Sequence, residues 1–72
     1  MASESAYKSN ESFIVTNTLR ALVAQLAPEQ KANVVAEVQN VLDNCKKSAE
    51  GDEHLIEWTT NLTEHILQEK MK

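Results

Sequence analysis

The chain has 72 residues, of which 42% are hydrophobic, 4% aromatic and 25% charged, with a formal charge of −4. That apolar share is too high for a disordered chain, and no apolar run approaches the roughly 18 residues a membrane-spanning helix needs. One glycine and one proline argue against a sandwich or barrel, whose many short strands need many turn residues, so the composition describes a small soluble all-α domain.

Residues 1–9 are polar and carry no hydrophobic period. They are expected to form a flexible N-terminal tail, leaving 10–72 as a single helical domain. Ser9 or Asn10 can cap the first helix by accepting a backbone N–H bond. Beyond them Val15, Leu19, Leu22 and Leu26 recur at steps of four, three and four, and Ile14 and Val23 widen the stripe. At about 100° per residue this is an amphipathic helix, predicted over about 11–26.

Ala27-Pro28-Glu29 ends that helix and opens the next. Proline disfavours helical geometry in the residue before it and suits the first helical position itself. Val34, Val38, Val41 and Cys45 repeat the four-three-four step, with Val35 and Leu42 beside them. The second helix is predicted over 28–47, closed by Lys46 and Lys47 where cations favour the negative helix end. Gly51 then suits a left-handed cap, and Asp52 can cap a third helix over 52–70. Its central stripe is Leu55, Thr59, Leu62 and Ile66, with Trp58 on one flank and Ile56 and Leu67 on the other.

Short connections suggest a small antiparallel bundle. The expected core is Val15, Leu19, Leu22, Leu26, Val34, Val38, Val41, Leu42, Cys45, Leu55, Leu62 and Ile66. Such stripes are thin for a monomer of this size, and the apolar arc of the third helix is too wide for one neighbouring groove. Completion of the bundle by homodimerisation is therefore expected. Phe13, Ile56, Trp58 and Leu67 lie off or at the edges of the stripes and are the residues expected to face a partner or a second copy.

The charge is uneven: residues 1–27 balance, 28–51 sum to −1 and 52–72 to −3. The largest basic cluster, Lys46-Lys47, stands between Asp43 and Glu50. Nucleic acid and anionic membrane are thus poor partners, since both need a basic patch. The lone Cys45 permits no internal disulfide, which in a domain this small favours a reducing cytoplasm. It lies near a helix C-terminus, where a thiolate is disfavoured, and reads as a core residue. His54 and His65 are eleven apart and cannot hold one ion from a single helix, because zinc ligands group within a turn or across elements. A metal shared between them across a dimer is the more distant alternative. Thr59 and Thr63 interrupt the apolar face, and the simplest reading is a hydroxyl bonded to a carbonyl of its own helix.

No glycine-rich phosphate loop and no nucleophile elbow are present. Three short helices also enclose little volume for a substrate. The expectation is a non-enzymatic protein with no cofactor that acts by protein–protein interaction, as a regulator, adaptor or inhibitor. Its partners would be itself and another protein. A helical subunit or chaperone of a larger secretion or structural assembly is the alternative.

Overall fold

The structure, a computed structural model, describes residues 3–72, and Met1 and Ala2 of the expected tail lie outside the described residues. Those described residues form three α-helices and no strand: α1 Glu4–Ala24, α2 Pro28–Ser48 and α3 Glu53–Leu67. The all-α reading and the helix count stand, and two boundaries, the start of α1 and the end of α3, move by three residues or more, while α1 also ends two residues early, at Ala24.

α1 begins seven residues before the expected Glu11. Ser3, rather than Ser9 or Asn10, is its N-cap, and its hydroxyl accepts from the Ala6 N–H at 3.2 Å. Glu4 occupies the first turn, where the helix end is positive, and pairs with Lys8 at 3.4 Å. An exposed pair at this spacing contributes only about 0.3–0.5 kcal/mol. The polar stretch from Glu4 to Ser9 is therefore helix held by local caps and charges, which leave no apolar period.

α2 starts at Pro28 as expected. Ala27, its N-cap, has no side-chain acceptor, but Gln30 Oε1 reaches back to accept from the Ala27 N–H at 2.9 Å. Asp52 caps α3 by accepting from the Leu55 N–H at 3.1 Å, and Gly51 stands at φ +94°, a backbone region glycine enters without strain. α3 stops at Leu67, three residues before the expected end, because Gln68 turns left-handed at φ 57°, ψ 38°.

α3 is the middle helix. Arg20 Nε donates to the His65 carbonyl at 3.1 Å, and Gln68 Nε2 donates to the Arg20 carbonyl at 3.2 Å. Glu11 and Val15 lie toward Trp58 while Arg20 lies toward His65, so α1 runs parallel to α3. The end of α2 lies beside the start of α3, and α2 runs antiparallel to it. α1 and α2 make only a marginal contact with each other. This differs from a bundle in which each helix packs on the next in sequence.

The result is a plate of 44 × 36 × 14 Å with a radius of gyration of 14.1 Å; a compact chain of this length has about 11 Å. Its accessible surface is 5807 Å², about 1300 Å² more than the roughly 4500 Å² of a compact monomer of this mass. Among the described residues only Val23, Leu42 and Leu67 are buried apolar residues.

The expected core is corrected accordingly. Leu42 alone among the twelve is buried, at 2% exposure. Val15, Leu19, Leu22, Val41, Cys45 and Leu55 are exposed, and Leu26, Val34, Val38, Leu62 and Ile66 are half-buried. The helical period is right and the residues do share a face, but no helix of this chain covers that face.

Truncation should follow this burial. Leu42→Ala is expected to lose about 2–5 kcal/mol in urea unfolding, whereas Val15→Ala, half exposed, loses less than about 1 kcal/mol from the monomer. A Cβ added at Gly51 would meet nothing within 4 Å, so Gly51→Ala should cost only the backbone strain of about 1–2 kcal/mol.

Candidate functional site

The plate has two unlike sides. On α3, Leu55, Thr59, Leu62 and Ile66 fall on one side at 100° per residue; Glu53, Glu57, Asn61 and Glu64 fall on the other. We call these front and rear. α1 occupies one flank of α3 and α2 the other, so the front stripe lies between two parallel grooves.

The first groove is lined by Val15 and Leu19 of α1 and by Trp58, Leu62 and Ile66 of α3. The second, a cleft of about 440 Å³, is lined by Val41, Leu42 and Cys45 of α2 and by Leu55, Ile56 and Thr59 of α3. Leu22 lies seven residues from Val15, on the same side of α1, and is 61% exposed. The stripes predicted for all three helices thus converge on one predominantly apolar face, bordered by Glu11, Ser12 and Thr16 at the first groove and by Asn44, Lys46 and Ser48 at the second. The Thr59 and Thr63 hydroxyls donate to the Leu55 and Thr59 carbonyls, each at 2.8 Å. Both are satisfied within their own helix, so the two threonines place no free polar demand on the face.

The four residues expected to meet a partner are separated by the fold. Trp58 is 62% exposed on the wall of the first groove, and Ile56 is half-buried in the second. Phe13 is 71% exposed but lies nearly opposite Val15 on α1, in a shallow rear recess with Asn17, Arg20 and His65. Leu67 is only 3% exposed, so its assignment as partner-facing is corrected to core: it falls on the α2 flank of α3. Cys45, expected in the core, is exposed and lines the second groove. Sequence reasoning missed the contribution of Val15, Leu22, Val41 and Leu55 to an open surface. Their period was visible, but period alone does not say whether a face is covered.

The rear is polar and partly covered by residues 69–72. The Met71 N–H donates to Glu64 Oε2 at 2.9 Å, and the Lys72 N–H donates to Gln39 Oε1 at 3.0 Å. Lys46 Nζ donates to the Lys72 main-chain oxygen at 3.1 Å, and Lys31 pairs with Glu69 at 3.5 Å. This segment straps α3 to α2 across the rear.

Among the described residues no three His, Cys, Asp or Glu side chains gather as metal ligands. His54 and His65 are both exposed on α3. No described helix is long and apolar enough to cross a membrane. No family model matches the chain, and comparison with curated proteins and with solved structures found no match.

The strap gives a direct test. In Glu64→Gln the carboxylate acceptor becomes a weaker neutral one. Hydrogen exchange at the Met71 amide should then accelerate several-fold, while that of the α1 amides stays unchanged.

Proposed function

We propose that this chain is a non-catalytic interaction protein, a regulator, adaptor or inhibitor, that works by laying its front face against another protein surface in a reducing, cytoplasmic compartment. One observation carries the reading: apolar stripes from three helices form a single open face. Monomeric proteins rarely leave large contiguous apolar patches bare, and such patches commonly mark interaction sites. Trp58, on the wall of the groove beside α1, is of the residue type most enriched among binding hot spots. Homodimerisation is one way to cover the face, and a helical subunit of a larger assembly would use the same surface.

A photoreactive phenylalanine analogue replacing Leu22 on the front, and in a second variant Glu57 on the rear, tests this in source cells. Front-site adducts to protein with little or none from the rear are expected. No front adducts, or equal adducts from both sides, would overturn the reading.

A further inference from the structure

We infer that the occupant of the front face is a second copy of this chain, so that two plates stack front to front as a two-layer, six-helix dimer. The inference rests on the interaction reading above and names its partner.

The first argument is area. The chain exposes 5807 Å², about 1300 Å² beyond a compact monomer of its mass. Obligate homodimer interfaces bury about 2,000–5,000 Å² in total, or about 1,000–2,500 Å² from each partner, so one front-to-front contact of that class can hide a surface of the size the plate has left open. The second argument is shape. A plate 14 Å thick across its thinnest direction becomes a compact body by doubling that dimension, and two apolar helical layers pack at about 8–10 Å. Grooves of about 440 and 410 Å³ on the two flanks of α3 let ridges of an identical face seat in them, as a two-fold interface requires.

The third argument is charge. A chain of −4 resists self-association unless its acidic groups are kept apart. On α3 they are: Glu53, Glu57 and Glu64 lie on the rear, and the front stripe of Leu55, Thr59, Leu62 and Ile66 has no charge; the charges bordering the front grooves are one of each sign, Glu11 beside α1 and Lys46 beside α2. Front-to-front stacking brings these apolar rows together and leaves the acids of α3 on the two outer surfaces. Rear-to-rear stacking would oppose like charges and displace the 69–72 strap. A two-fold axis near the middle of α3 gives the two plates their greatest overlap.

Light scattering and sedimentation of the purified full chain over a roughly 100-fold concentration range test this. The expected species has twice the 8.1 kDa chain mass, a melting temperature that rises with concentration, and Trp58 emission that shifts to the blue as the dimer forms. Leu22→Glu and Val41→Glu lie on different helices at positions 61% and 60% exposed, so the fold of each plate should survive them, as circular dichroism would verify. Each should weaken the dimer by at least about 100-fold, because a carboxylate would be buried without a partner, and Glu57→Lys on the rear should leave it intact. A monomer at every concentration overturns the inference, and so does a dimer indifferent to both front variants. In the first case, front-site adducts to a different protein in cells would still uphold the interaction reading; their absence would end both.

Discussion

The architecture depends on how the apolar arc of α3 is shared. That arc runs from Trp58 through Leu62 and Ile66 to Leu67 and spans about half the helix circumference. α1 takes one end of it and α2 the other, and the two scarcely meet. A third helix in a closed bundle would touch both neighbours over the middle of the arc. Here the neighbours sit on opposite flanks, so the middle of the arc stays open. From this single disposition follow the flat shape, the three-residue core and the predominantly apolar face.

The two sides of the plate are finished differently, and the difference is chemical. On the rear, carboxylates, amides and lysines find partners in the segment after α3: Glu64 with Met71, Gln39 and Lys46 with Lys72, Lys31 with Glu69. These bonds are largely exposed and individually weak, but they lie across the α2–α3 seam. On the front, side chains are mostly aliphatic and aromatic, Glu11, Ser12 and Thr16 border one groove and Asn44, Lys46 and Ser48 the other, and the Thr59 and Thr63 hydroxyls bond their own helix. Water satisfies the rear and gains nothing from the front, so the energetics favour an apolar cover on one side alone.

Much of this was legible in sequence because it is local. The proline at the start of α2, the Asp52 cap, the Gly51 turn and the three-and-four spacing each act within one helical turn. The start of α1 was not legible from apolar period, since Ser3 and the Glu4–Lys8 pair build that turn without any. The end of α3 was missed for the opposite reason. Gln68 adopts a left-handed conformation usually taken by glycine or asparagine, and its side-chain bond to the Arg20 carbonyl on another helix is a contact that no local pattern announces. Leu67 and Trp58 looked alike as flanking residues of one stripe, yet they lie on opposite flanks of α3, and tertiary packing buries the first and leaves the second open.

The sequence by itself determined the all-α class, the three helices and which residues share a side of each. Those properties come from propensity, capping and a 3.6-residue period, all set by near neighbours in the chain. Which helices touch, and therefore which apolar side is covered, was decided by tertiary structure. Helical period places Val15, Val41 and Leu62 on apolar sides equally well in a closed bundle or an open plate. The choice between them rests on long-range packing around α3, where α1 and α2 occupy its two flanks and leave the face between them bare.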